Sequence, residues 1–128
     1  MFRNSKAFSG FSVDSVLKAK QFYGEILQLE VEEIEEMNLL NIKLSGGASV
    51  MVYEKPNHTP ATFTILNFNV PDIEKSVADL KKLGVPFESY DMPGLKTDND
   101  NIFRGEGPTI AWFTDPAGNI LSVIEDKN

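Results

Sequence analysis

The feature that most constrains this 128-residue chain is that it repeats itself. Phe11-Ser12-Val13 aligns with Phe68-Asn69-Val70 at an offset of 57, and at that offset Val16 falls on Ile73 and Lys18 on Lys75. The closing segments Gly47-Ala48-Ser49-Val50-Met51-Val52 and Gly118-Asn119-Ile120-Leu121-Ser122-Val123 align at an offset of 71. The additional 14 residues of the second half fall within 91–107, a stretch rich in Gly, Asn and Asp. A chain that carries one supersecondary unit twice is built from two copies of a module, each with an apolar face to bury.

Periodicity identifies the parts of that module. One helix follows Val13, capped by Asp14 or Ser15, with Val16, Ala19, Phe22 or Tyr23, and Ile26 on its buried face. A second follows Pro71-Asp72, with Ile73, Val77, Leu80 and Leu83 as its stripe and Gly84 placed to end it. Short runs rich in Val, Ile, Phe and Thr read as strands near 6–13, 28–34, 38–45, 47–54, 62–70, 85–90, 108–114 and 119–125. Gly46-Gly47 and Asp115-Pro116-Ala117-Gly118 stand where hairpin turns belong. The expectation is an α+β fold, β-α-β-β-β twice, in a single domain over 1–128. Repeat 1 covers about 1–57 and repeat 2 about 58–128, and the third element of the second repeat is the least strand-like.

Composition narrows what such a chain does. At 41% hydrophobic and 24% charged residues it has enough apolar content to close a core. No run approaches the roughly 18 apolar residues of a membrane span, and the N-terminal residues do not read as a signal peptide. With no cysteine there is no disulfide, thiolate nucleophile or thiolate metal site, which fits a cytoplasmic location. A formal charge of −7 repels phosphate backbones and argues against nucleic acid as a partner.

Phe11-Ser12-Val13-Asp14 leading into Lys20-Gln21-Phe22-Tyr23 and Leu27-Gln28-Leu29 resembles the opening of the vicinal oxygen chelate superfamily. That group includes glyoxalase I, the bleomycin and fosfomycin resistance proteins and the extradiol dioxygenases. Asp115-Pro116-Ala117-Gly118-Asn119 is similar to its C-terminal hairpin signature. The resemblance spans nearly the whole chain. It implies two βαβββ modules whose mixed and antiparallel sheets curve into a cup with the helices outside, and a homodimer.

In metal-dependent relatives four side chains, usually His or Glu, point into the cup and hold a divalent metal that acts as a Lewis acid. Carried over, those positions are Phe8, its repeat mate Ile65, Met51, and its repeat mate Ser122. Phe, Ile, Met and Ser do not make a hard-metal site, so the resemblance implies the scaffold with neither metal nor other cofactor. Glu54 and Glu125 lie three residues beyond Met51 and Ser122, and a slip of three reverses the face of a strand.

Phe8, Met51 and Ile65 give the cup an apolar floor, which serves either a ligand pocket or a closed core. Trp112, the only tryptophan, stacks on a ligand if it follows its counterparts in glyoxalase-like relatives, and otherwise fills the core. Tyr53, Asn67, Asn69, Ser12 and Ser122 are polar residues in apolar strands, and a ligand, water or the backbone can satisfy them. Arg104, in the inserted loop, is suited to a ligand carboxylate or phosphate, or to a surface pair with Glu106. His58, the only histidine, reads as a solvated linker residue or a general base. Asp98-Asn99-Asp100-Asn101 lacks the glycine and distal glutamate of an EF-hand. The run Glu30, Glu32, Glu33, Glu35, Glu36 reads as a solvated strand and turn.

The expected function is metal-free binding of a small, partly apolar molecule in the cup by Phe8, Met51, Tyr53, Ile65, Asn67, Arg104, Trp112 and Ser122. The alternative is a glyoxalase-like lyase or dioxygenase-type enzyme, metal-dependent or using Arg104, Tyr53 or His58 without metal.

Overall fold

A computed structural model describes residues 1–125, and the chain forms two compact units, Met1–Thr59 and the portion from Pro60 onward. In the first unit β1 (Ser9–Val13) leads into α1 (Val16–Lys20), which widens into a π-helix over Gln21–Ile26. Then come β2 (Glu30–Ile34), a 3₁₀ turn at Glu35–Met37, β3 (Leu39–Lys43) and β4 (Ser49–Glu54). The sheet order is β1-β4-β3-β2, with β1 parallel to β4 and the other neighbours antiparallel.

Helix α1 starts where the sequence provides its caps. The Ser15 side chain accepts from the Lys18 N–H, and Glu54 accepts from the Val16 N–H at 3.0 Å. The π-turn decides between Phe22 and Tyr23 by burying both. Its wider turn brings these consecutive rings inward, edge to face with centroids 5.0 Å apart.

The second unit repeats the plan. β5 (Thr64–Asn69) is followed by α2 (Ile73–Lys82), capped by the Asp72 side chain on the Lys75 N–H. After it come the small hairpin of β6 (Asp91–Met92) and β7 (Leu95–Lys96), then β8 (Ile102–Phe103), β9 (Thr109–Thr114) and β10 (Ile120–Glu125). The order β5-β10-β9-β8 is that of the first unit, with β5 parallel to β10. The offsets of 57 and 71 reappear as strand register: Phe11 pairs with Val52, and Phe68 with Val123. Ile73 and Val77 of α2 are buried with Ala111, Phe113, Leu121 and Val123, whereas Leu83 is exposed.

The strand expected at 85–90 is not one. Only Phe87 bridges, to Phe113, while the Glu88 N–H donates to the Trp112 carbonyl and the Thr114 N–H to that of Pro86. The chain then leaves the sheet, and β8 takes up the same edge of β9 with Ile102 opposite Ala111 and Phe103 opposite Ile110. Segments 86–88 and 102–103 thus read as one antiparallel strand into which residues 89–101 are inserted. The insertion falls earlier than the 91–107 suggested by composition, because pairing with β9 resumes at Ile102 while the composition is still loop-like.

The Asp115–Asn119 turn is a hydrogen-bonded clamp. Asp115, nearly fully buried, accepts through Oδ1 from the N–H groups of Ala117 and Asn119 and through Oδ2 from the Asn119 amide. The Asn119 Oδ1 in turn accepts from the Ala61 N–H at 3.2 Å, tying the turn to the start of its own unit. Gly118 has φ +85°, and a Cβ there would lie 2.9 Å from Pro60 Cγ, so both backbone and space require glycine. No helix among the described residues is long and apolar enough to cross a membrane.

Candidate functional site

Each sheet has one face covered by its helix and one that is not. Along β9, Thr109, Ala111 and Phe113 are buried on the α2 side, whereas Ile110, Trp112 and Thr114 are half-buried on the other. Along β4, Val50 and Val52 are buried and Ser49, Met51 and Tyr53 are half-buried. This period-two alternation in β4 and β9 is that of strands covered on one side by a helix, whereas in β10 Leu121, Ser122 and Val123 are all buried.

Cross-strand pairing collects several candidate residues on these helix-free faces. In the second unit Ser122 is directly opposite Trp112 and beside Asn67, with Ile65 two residues from Asn67 at a bulge in β5. Ser122 is completely buried, and its hydroxyl donates to Asn67 Oδ1, so the polar group finds its partner in the neighbouring strand. In the first unit Met51 pairs with Gly10 and Tyr53 with Ser12, and the Ser12 Oγ lies 2.7 Å from Nδ1 of His58. Phe8 immediately precedes β1 and is 64% exposed.

The structure separates Arg104 from Trp112 and Ser122 by engaging it with the helix side. Its Nη2 donates to Glu74 of α2 at 2.9 Å and its Nε to Asp98 at 2.8 Å, rather than pairing with Glu106. Asp98 also accepts from the N–H groups of Asp100 and Ile102, so the Asp98–Asn101 stretch is an Asx-turn anchor. Partial burial pushes the Asp98 carboxyl upward, but the Arg104 hydrogen bond and the two backbone N–H groups outweigh it and hold it below its ordinary value. The Asp98 contribution is therefore complete above the unfolded carboxyl value of about 4. It is lost as pH falls through the lower folded-state value. Amide exchange in 89–101, compared at equal intrinsic rate, is expected to lose protection in that acid range before the β9–β10 ladder does. Equal loss in both would contradict a local anchor.

Two aromatic neighbours of Trp112 were not legible as site residues. Tyr90 packs edge-on against the indole, with centroids 5.2 Å apart and planes at 89°, and Phe103 lies at 6.4 Å on a tilted plane. Tyr90 sits at the start of the inserted segment and Phe103 in β8 just beyond its end, within a Gly-, Asn- and Asp-rich stretch where nothing indicates a return toward β9. Burial, and secondarily the charge of Glu88, keeps the Tyr90 phenol above its ordinary value and so protonated at neutral pH. An open groove of about 720 Å³ runs between the inserted hairpin and the segment after β8, lined among others by Leu95, Lys96, Phe103, Gly105 and Glu106.

Each unit thus carries the same strand order and one helix-free sheet face. Residues 9–123 match the model of the Glyoxalase/Bleomycin resistance protein/Dioxygenase superfamily, and the chain belongs to that family. Solved structures agree with the fold. TnmS3, an antibiotic binding protein from Streptomyces sp. CB03234, superposes with TM-score 0.69 at 20% identity, over 97% of this chain and 98% of its own. A glyoxalase family protein from Enterococcus faecalis gives 0.65 at 24% identity over 98% and 100%. Lactoylglutathione lyase from Agrobacterium tumefaciens gives 0.66 at 19% identity over 96% and 95%. No functionally curated protein matches the sequence.

The residues at the family's metal positions do not fit a divalent cation. Phe8, Met51 and Ile65 supply a ring, a thioether and an alkyl chain, and the Ser122 hydroxyl is committed to Asn67. The nearest carboxylates in sequence lie on the wrong face: Glu54 caps α1, and Glu125 pairs opposite the buried Thr109 of the helix side.

Proposed function

We propose that this protein binds a small, partly apolar molecule without metal, in the manner of the resistance-type members of its family. The observation that carries this reading is the half-buried, helix-free face of the second sheet. There Ile65, Ile110 and Trp112 offer an apolar floor and the exposed Asn67 amide a polar contact. Met51 and Tyr53 are assigned the same role on the first sheet. The resemblance to an antibiotic binding protein supports the reading, and the donor set opposes a metal-dependent lyase or dioxygenase.

A thermal-shift screen of metabolites and antibiotics, run with and without EDTA and followed by Trp112 emission, tests it. The expected result is at least one compound that raises the melting temperature and perturbs the single tryptophan, equally in both conditions. A shift that EDTA abolishes, or lactoylglutathione formation, would favour the enzymatic alternative.

The protein is also assigned a homodimeric state, because β1, β2, β5 and β8 are edge strands and open edges need covering. Light scattering at micromolar concentration should give about twice the chain mass of 14.2 kDa. A value equal to that mass would refute the assignment.

A further inference from the structure

The segment inserted into the second unit's edge strand lies over the candidate site, and its attachments are unlike those of the sheet. We propose that residues 89–101 form a latched lid over Trp112, and that the guest to which the lid yields is a planar aromatic ring. The ligand class rests on the reading of the helix-free face as a binding site, whereas the lid itself does not.

The lid is internally ordered. Tyr90 and Thr97 face each other, with the Thr97 hydroxyl accepting from the Tyr90 N–H at 2.9 Å, and β6 pairs with β7 beyond them. Asn101 closes the base through Ser89 Oγ and the Glu88 carbonyl. A unit tied to itself in this way can move as one piece about Glu88 at one end and the Thr97–Phe103 bridge to β8 at the other.

Its attachments to the rest of the unit are polar: a backbone bridge from Thr97 to Phe103 of β8, and exposed side-chain contacts to Arg104 and to α2. Arg104 bridges Asp98 of the lid to Glu74 of α2, and the Lys81 ammonium of α2 donates to Asn101 Oδ1 at 2.8 Å. Beneath this latch is a void of about 230 Å³ bordered by Val77, Ala78 and Ile102, and the 720 Å³ groove opens on another side of the hairpin. Little apolar surface therefore holds the lid, and exposed ion pairs are individually weak and screened by salt.

The one substantial apolar contact identifies the guest. The Tyr90 ring occupies the approach to Trp112, edge-on to the indole, with Phe103 flanking it. A planar aromatic ring makes the same contact with the same geometry, and so can take the place of Tyr90 when the lid swings away.

Acrylamide quenching of Trp112 tests the lid without any ligand. In the parent the quenching constant should rise about threefold between low salt and 0.5 M NaCl as the latch is screened. In Arg104→Gln it should be high at all salt concentrations, and Asp98→Asn should behave alike if the first variant folds poorly. Salt-independent quenching that neither variant changes overturns the lid. 2-Naphthol then tests the guest: Tyr90→Ala should bind it several-fold more tightly than the parent. Unchanged affinity overturns the displacement of Tyr90. Quenching as expected with no naphthol binding to any variant overturns the ligand class while leaving the lid in place.

Discussion

Replacing Asp115 with alanine is expected to lower the melting temperature by roughly 10 °C, corresponding to about 3 kcal/mol. The substitution removes three hydrogen bonds from a nearly fully buried carboxylate and leaves the N–H groups of Ala117 and Asn119 without that acceptor. A buried donor stripped of its partner loses more than the net worth of one hydrogen bond, which is why the effect exceeds that of a surface charge. Asp115→Asn keeps the Oδ1 acceptor and should cost about half as much. Gly118→Ala tests the same turn through the backbone, since it forces a side chain onto a positive φ and against Pro60. Far-UV circular dichroism melts provide the comparison. An Asp115→Ala protein melting with the parent would show that the turn is held by backbone geometry alone.

The second large effect concerns ligand binding. Ile65→Glu is expected to weaken binding of any compound found by the thermal-shift screen by at least about 100-fold, because a ligand that covers the carboxylate must desolvate an unpaired charge. Ile65 is half-buried beside a bulge in an edge strand, so in the free protein the glutamate reaches water and the melting temperature should change by only a few degrees. Isothermal titration on the folded variant measures the first quantity and a melt the second. If Ile65→Glu unfolds and no compound shifts the parent, the helix-free face is closed core, and binding must be sought on another surface.

The fold was readable in the sequence because its repeat is visible in the residues that set strand register. Phe11 and Phe68 stand at equivalent positions beside Val52 and Val123, so an offset found in the letters is also one in the hydrogen-bond ladder. The helix starts were readable for a similar local reason, since Ser15 and Asp72 cap through their own side chains. The inserted segment was misplaced because its boundaries are set by β9, far along the chain, rather than by local composition. Phe22 and Tyr23 could not be separated by a 3.6-residue period, which does not hold in a π-turn.

The candidate site was readable only as positions on a face. The family resemblance singled out Met51 and Ser122, and polarity within apolar strands singled out Tyr53 and Asn67, but neither signal carries information about a side chain's partners. The pairing of Ser122 with Asn67, the two carboxylates on Arg104 and the approach of Tyr90 to Trp112 depend on contacts across tens of residues.

The interrupted edge strand makes the second unit a ready acceptor for foreign sequence. Pairing on β9 is taken up on either side of the break, with Phe87 opposite Phe113 and Ile102 opposite Ala111, so the register of the sheet is continuous across the segment between Glu88 and Ile102. Lengthening such a closed loop is cheap, since doubling it costs only about 0.6 kcal/mol of closure entropy. Segments of differing length can therefore be accommodated there while the β9–β10 ladder is kept, without repacking the core.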